Sequence, residues 1–459
     1  METPLKDLSF DELLRPEGHA CSCGKHHSCG LQYLRVGPGV VKLFPEAMKA
    51  IGVRRPFLVM DRNTRKAAGE MVERLLEEAG IDYRSFTFHT DQRIEPDEAA
   101  VGALTLPYDP SCDVVVAVGS GVVNDCCKVL AYAAHRPCMV VCTAPSMDGY
   151  ASNCSAMIQN HVKVSPANAC AQAILADTEI LATAPDVMLR AGLGDMLAKY
   201  VSLCEWKIAH LVHGDPYCPE IAALVRSSLQ KVVDNAPDLM RRSDAALAAV
   251  VEGLILSGVA MAFAGNSRPA SGLEHYFSHV WEMQALARGK ASDLHGVQVG
   301  VGTLLTLWIY ENILNVDRPD LKAARRAMES FSEEAWRVRV ERIFGTTAPE
   351  IFALEEKAHK NDPAAHALRL NQIEAHWPEI RKIISEELPR RETVLRLMSS
   401  CGMALRPADL GLTAQDTVDA FLGSRDIRDK YLTSSLLWDL GLTKKTADAL
   451  MALCRKEAE

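Results

Sequence analysis

DVVVAVGSGVVND (residues 113–125) is a Val-rich apolar run that ends in two glycines and passes at once into helical spacing. A run that is apolar at every position, not at alternate ones, reads as a strand covered on both faces, as in a parallel sheet. The alternation continues outward from it. RRPFLVMD (54–61) leads into TRKAAGEMVERLLEEAG (64–80), whose apolar spacing is helical and whose end is marked by Gly80. SFTFHT (85–90) follows, and after a helix from about Val122 to Ala134 comes CMVVCTAPS (138–146). Strands joined by helical crossovers predict a doubly wound, Rossmann-like α/β domain over residues 1–184. From about Pro185 the strand-like runs disappear and Ala/Leu/Glu/Arg-rich periodicity takes over, so residues 185–459 are expected to form an all-helical domain.

With 48% hydrophobic and 24% charged residues, the 459-residue chain has the composition of a folded globular protein, which excludes collagenous and disordered readings. Fifty basic residues against 59 acidic ones give a net charge of −9 with no long basic run, so nucleic acid is not an expected partner. The start, METPLKDLSFDELLRPEGHA, is acidic and amphipathic, without the basic and uninterrupted apolar parts of a secretory signal. The apolar stretch Val250 to Ala264 is broken by Glu252 and two glycines and falls short of the ~18 consecutive apolar residues of a membrane span. A cytoplasmic location is therefore expected, with most of the 14 cysteines reduced and acting as small buried hydrophobes.

Several segments carry chemistry. Gly119-Ser120-Gly121-Val122-Val123-Asn124-Asp125 joins a strand to a helix, where free amides can hold a pyrophosphate; a purely steric turn is the alternative. Asp61, at the end of FLVMD, is placed either to accept hydrogen bonds from an adenosine ribose or to cap the helix from Thr64. Thr143-Ala144-Pro145-Ser146-Met147-Asp148, with Ser152 beyond it, follows the next strand at the carboxyl edge of the sheet, where open parallel sheets bind ligands; an ordinary polar turn is the plainer reading. In the rear half, GLGDMLAK (192–199) reads as glycines preceding a helix with Asp195 in its first turn. Ser271-Gly-Leu-Glu274 reads as a capping box, which puts His275 and His279 on one helix face, and DLHGVQVG (293–300) begins another helix headed by His295. Each histidine alone reads as a cap or surface residue. Together, two imidazoles and a carboxylate form a ligand set that leaves a coordination position open, as a Lewis-acid metal requires. CSCGKHHSC (21–29) resembles a soft metal site in composition, although Cys-x-Cys is not the zinc-finger spacing; a packed or flexible reduced-thiol segment is the alternative.

These motifs, in this order, resemble the dehydroquinate synthase-like superfamily of glycerol dehydrogenases, iron-type alcohol dehydrogenases and sn-glycerol-1-phosphate dehydrogenases, most nearly the bacterial form of the last, from roughly Leu31 to Leu307. The resemblance implies reduction of dihydroxyacetone phosphate to sn-glycerol 1-phosphate by NAD(P)H. It implies Gly119 to Asp125 as the pyrophosphate turn, Thr143 to Ser146 and Ser152 beside the nicotinamide, and Asp61 at the ribose, where a carboxylate disfavours a 2′-phosphate and so favours NADH. It further implies Asp195, His275 and His295 as ligands of one divalent metal, nickel or zinc before iron, with Asp148, Asp195 and His279 as catalytic residues. Lys199 stands where iron-type alcohol dehydrogenases have a further histidine, and Asp148 lacks the following lysine of dehydroquinate synthases. Glycerol dehydrogenase activity on an unphosphorylated substrate is the rival, and a non-catalytic nucleotide- or metal-binding relative is the weaker one. A homo-oligomer, dimeric by resemblance, and a place in phospholipid metabolism are also implied. Extra helical sequence between about Asp317 and Arg391 departs from archaeal members.

Overall fold

The computed structural model describes residues 3–90, 93–159 and 162–458. Two compact units emerge: Met1–Met196 with Cys218–Ala270, and Leu197–Tyr217 with Ser271–Glu459. The first unit therefore takes in helices Asp186–Leu197, Pro219–Asn235 and Asp244–Ala264 in whole or nearly so, which from sequence read as the start of the rear domain.

Ten strands lie in the first unit among the described residues: β1 (His19–Ala20), β2 (His26–His27), β3 (Tyr33–Gly37), β4 (Pro56–Asp61), β5 (Arg84–Phe88), β6 (Val114–Gly119), β7 (Cys138–Cys142), β8 (Met157–Gln159), β9 (Val162–Val164) and β10 (Ala173–Asp177). Six of them form a parallel sheet in the order β3-β10-β7-β6-β4-β5. The all-apolar runs are buried, as their pattern requires: every residue of β6 and β7 is buried. On one face Leu58, Met60, Val116, Val118, Met139, Val141 and Leu175 pack with Phe44, Val72 and Leu76 from the helices that cover them. At roughly 25 cal/mol per Å² of apolar surface removed from water, this double-sided burial is the main force holding the sheet.

Strands β3 and β10 were not read from the sequence; YLRVG carries Arg35 in its centre, and AILAD is a run of only five residues. The small hairpin β8–β9 was also missed. Register places Gly119 of β6 beside Cys142 of β7, so the turn after one strand and the loop after the other leave the sheet at the same edge, tied by Thr143 N–H to Gly119 O at 3.2 Å.

Among its described residues the second unit holds helices and no strand, from Lys199–His213 through Leu273–Ala287 and His295–Leu314 to Thr443–Ala458. Contrary to the expectation from consecutive apolar residues, two helices are long and apolar enough to cross a membrane, Asp244–Ala264 and His295–Leu314. Both windows are mostly buried inside the fold, 78% and 72%, which is how a core helix apolar on all sides passes the same test.

Candidate active site and metal centre

In the first unit the Gly119–Asp125 segment forms the turn and the opening of helix Gly121–Ala133, with Ser120 as N-cap. The Ser120 side chain makes no capping bond there. A Cβ on Gly119 would lie 2.7 Å from the Val123 Cβ, so the turn closes tightly only without a side chain. The first helical turn thus offers backbone N–H groups of Gly121 to Val123, the donors that a pyrophosphate uses at a helix start. Asn124 and Asp125 point elsewhere. The Asn124 amide donates to Asp125 Oδ1 and to Gly149 O, while Asp125 Oδ2 accepts from Ala156 N at 3.3 Å. Burial pushes the Asp125 carboxyl up to about 6.

Lys128, invisible to sequence reasoning, is 1% exposed and organises the loop above the sheet. Its ammonium donates to the carbonyls of Gly149 (3.2 Å), Ser152 (2.6 Å) and Cys154 (2.7 Å) and to Ser152 Oγ (3.0 Å). Thr143, Ala144, Pro145 and Ser146 are buried in the same loop, and Tyr150 OH donates to Ala144 O at 2.5 Å. Ser152 is engaged by Lys128 and donates to Cys154 O at 2.7 Å. A lysine in a helix ordinarily reads as solvated; only its spacing from Asn124 and Asp125, on one helical face, hinted otherwise.

Asp148 and Asp195 meet in this unit. The Asp148 amide donates to Asp195 Oδ2 at 3.0 Å, and Ser257 Oγ donates to Asp148 Oδ2 at 2.9 Å. Ser257 was not foreseen. Glycines make the approach feasible: a Cβ on Gly192 would lie 1.8 Å from Pro145 O, and one on Gly258 would lie 3.0 Å from Asp148 O. One sequence reading needs correcting here. Helix Asp186–Leu197 starts well before Gly192, so Asp195 sits in its last turn, not its first. The glycines serve close packing against the loop. Asp61, read as either a ribose contact or a cap, does cap the helix through one oxygen: its Oδ1 accepts from Asn63 N (2.7 Å) and Thr64 N (2.8 Å).

In the second unit three imidazoles gather on two adjacent helices. Ring centroids of His275 and His295 are 5.2 Å apart, those of His279 and His295 5.4 Å, and those of His275 and His279 6.3 Å. Gly302 permits the pairing, since a Cβ there would lie 2.4 Å from Glu274 O. The predicted capping box is absent: Gly272 is the N-cap, and Glu274 Oε1 accepts from Gly272 N at 2.7 Å, two residues away and not three. Ser271 Oγ instead accepts from Lys430 Nζ.

The fully buried Glu274 also holds His275 Nδ1 at 2.8 Å, and its other oxygen, Oε2, has no hydrogen-bond partner. Behind it, Glu205 accepts from Leu273 N, Thr433 N and Thr433 Oγ1; burial first, then the Glu274 charge, pushes its carboxyl up to about 8. His295 Nδ1 lies 3.0 Å from Ser278 Oγ, which donates to Gln298 Oε1. Carboxylate and hydroxyl partners on Nδ1 are the support pattern that imidazoles coordinating a metal through Nε2 have. Glu282, missed in the sequence, brings a carboxylate oxygen into the same group: ligand atoms of His279, Glu282 and His295 lie within 4.8 Å of one another. Its place one helical turn after His279 was the available signal. Nitrogen and carboxylate donors of this kind fit a divalent cation. Of the basic residues near the motifs, Lys199 and Arg268 are buried and Lys163 is half-buried on β9.

A parallel-sheet unit whose carboxyl edge presents a glycine turn, with a helical unit that gathers histidines, is the architecture of the dehydroquinate synthase-like dehydrogenases. Solved structures agree in fold: glycerol dehydrogenase from Schizosaccharomyces pombe aligns at a TM-score of 0.59 and 14% identity, covering 93% of this chain and 91% of that one. A probable glycerol dehydrogenase from Sinorhizobium meliloti 1021 aligns at 0.60 and 16% identity, covering 93% and 98%. The family model described as iron-containing alcohol dehydrogenase matches residues 35–185. Among curated proteins, glycerol-1-phosphate dehydrogenase (NAD(P)+) of Halalkalibacterium halodurans is 29% identical over 93% of this chain and 96% of its own length. Those of Bacillus licheniformis and Geobacillus thermodenitrificans are 32% and 30% identical, over 69% and 77% of this chain and 79% and 93% of their own. The chain belongs to the glycerol-1-phosphate dehydrogenase family of iron-containing alcohol dehydrogenase-type enzymes.

Proposed function

We propose that this chain reduces dihydroxyacetone phosphate to sn-glycerol 1-phosphate with NAD(P)H, aided by a divalent metal that Asp195, His275 and His295 hold. The observation that carries the reading is the gathering of His275, His279 and His295, with His275 and His295 held at Nδ1 by Glu274 and Ser278, in a chain similar along most of its length to glycerol-1-phosphate dehydrogenases. A divalent ion bound there supplies Lewis acidity to the ketone oxygen as negative charge develops. Nickel and zinc suit this donor set, with iron the lesser candidate.

The chain's own residues do the rest. The Gly121–Val123 amides hold the coenzyme pyrophosphate, and the Lys128-braced loop with Thr143, Ala144, Pro145, Ser146 and Ser152 fixes the nicotinamide so that hydride reaches one face of the carbonyl carbon. Asp61, engaged as a cap through Oδ1, disfavours a 2′-phosphate by its charge and supports NADH as the coenzyme. Asp148, anchored by Ser257, positions a substrate hydroxyl, and His279 relays a proton to the new alkoxide through water. We take the working form to be a homodimer in the cytoplasm, supplying a phospholipid precursor.

The test follows NADH absorbance with dihydroxyacetone phosphate, with dihydroxyacetone and with neither, after loading nickel or zinc, and then determines product handedness. Oxidation with the phosphorylated ketone alone supports the reading. Oxidation with dihydroxyacetone alone would transfer the chain to the glycerol dehydrogenase reading, and silence throughout would reduce it to a binding protein.

A further inference from the structure

The cysteine-rich start of the chain folds into a site that the proposed reaction does not use. Strands β1 and β2 form a short antiparallel hairpin, Ala20 opposite His26, whose turn is closed by Cys21 N–H to Lys25 O at 3.1 Å. Gly24, at φ +81°, supplies the left-handed turn residue, and a Cβ on Gly18 would lie 2.5 Å from His27 O. Both glycines compress the hairpin so that Cys21, Cys23 and His27 face one point. From 191 residues further on, Cys218 arrives at the same point as the N-cap of helix Pro219–Asn235, and its side chain makes no capping bond.

The distances are those of a coordination shell. Cys21 Sγ lies 3.6 Å from Cys218 Sγ, Cys23 Sγ 3.3 Å from His27 Nε2, and Cys218 Sγ 3.4 Å from His27 Nε2. All four ligand atoms fall within 4.8 Å of one another. A tetrahedron with metal–sulfur bonds of about 2.3 Å and metal–nitrogen bonds of about 2.0 Å has S···S edges of roughly 3.8 Å and S···N edges of roughly 3.5 Å. A disulfide between Cys21 and Cys218 would need about 2.05 Å, so the pair is not one. His27 is 1% exposed, its Nδ1 lies 3.0 Å from Phe263 O, and its ring stacks on Phe263. A carbonyl on Nδ1 fixes the tautomer and turns Nε2 to the thiols, the outer support that metal-bound imidazoles have. Cys29, by contrast, is turned to Leu31 O and takes no part.

We propose that Cys21, Cys23, His27 and Cys218 bind one structural zinc ion. Four protein ligands of the Cys3His type close the coordination shell, so the ion has no position for substrate and acts as a staple, joining the amino-terminal hairpin to the head of helix Pro219–Asn235. A clip between segments nearly two hundred residues apart removes much freedom from the unfolded chain. The sequence spacing alone could not show this, because the fourth ligand is remote.

Cobalt substitution of the full-length, reduced protein tests the site. Thiolate ligands give a cobalt charge-transfer band in the near ultraviolet, which the Asp195, His275 and His295 set, lacking sulfur, cannot produce. The expected result is a thiolate–cobalt site titrating at about one equivalent, lost in Cys23→Ser and in Cys218→Ser together with one zinc by elemental analysis, and retained in Cys29→Ser. Chelation should lower the Tm of the native protein by clearly more than that of Cys218→Ser, which keeps only the ion proposed at Asp195, His275 and His295. Absence of the band in the reduced native protein, or its survival in folded Cys218→Ser, would overturn the proposal. The dihydroxyacetone phosphate assay is a separate readout, so the zinc staple and the proposed reaction stand or fall independently.

Discussion

Replacing Lys128 by Met removes a buried ammonium while keeping most of its volume, and the structure sets the cost. Three carbonyls and one hydroxyl lose their donor, three of them at 3.0 Å or closer. A hydrogen bond from a charged group contributes about 1.5–3 kcal/mol, and breaking a buried charge arrangement by deleting one partner costs about 3–5 kcal/mol. Because the acceptors share one nitrogen, the second figure is the better guide. At roughly 2–4 °C per kcal/mol for a unit of this size, the loss amounts to about 6–20 °C in Tm. The variant carries a second signature. Lys128 is the largest influence holding Asp125 down against burial, so without it the Asp125 carboxyl should titrate above its present value of about 6. Differential scanning calorimetry across pH reads both effects, and fluorescence titration with NADH reads the loosened 149–154 loop as weaker coenzyme binding. A Tm within 2 °C of the native protein with unchanged NADH affinity would refute the view that Lys128 holds this loop.

Asp125 itself gives a pH dependence of defined sign. With its pKa raised from 3.8 to about 6, the native state binds more protons than the unfolded state in that window, so the contribution to stability falls as pH rises, by about 2 kcal/mol between pH 4 and 6 and about 3 kcal/mol in all. Urea unfolding as a function of pH should show this slope, and Asp125→Asn should lack it. Gly302→Ala places a methyl 2.4 Å from Glu274 O and should cost about 1–3 kcal/mol while separating His275 from His295, which calorimetry of metal binding should report as roughly 10-fold weaker affinity or more. His295→Ala should abolish metal-dependent turnover with circular dichroism unchanged; full activity in the metal-depleted variant would remove His295 from the site.

The sheet was legible where burial on both faces makes every position apolar, as in β6 and β7, and illegible where it does not, as at β3 with Arg35 in its middle. The histidines were found because helical spacing brings His275 and His279 to one face; Glu282 escaped because an acidic residue one turn further on is common on any helix. The glycines of GLGD misled: a glycine signals a helix boundary by its conformational freedom, yet Gly192 sits inside the helix because Pro145 O leaves no room for a Cβ. Glu274 three residues after Ser271 satisfied the pattern of a capping box, but its carboxylate turned to Gly272 N and His275. Lys128 and Cys218 were hidden for one reason: their partners come from distant chain, and spacing reports only local neighbours.

Anomalous scattering from a crystal of the nickel- or zinc-loaded protein tests the central claim most directly. The account predicts a peak with a carboxylate oxygen of Asp195 and the Nε2 atoms of His275 and His295 about 2.0–2.2 Å away. A fully loaded, active crystal whose peak leaves Asp195 or either histidine outside bonding distance would contradict it.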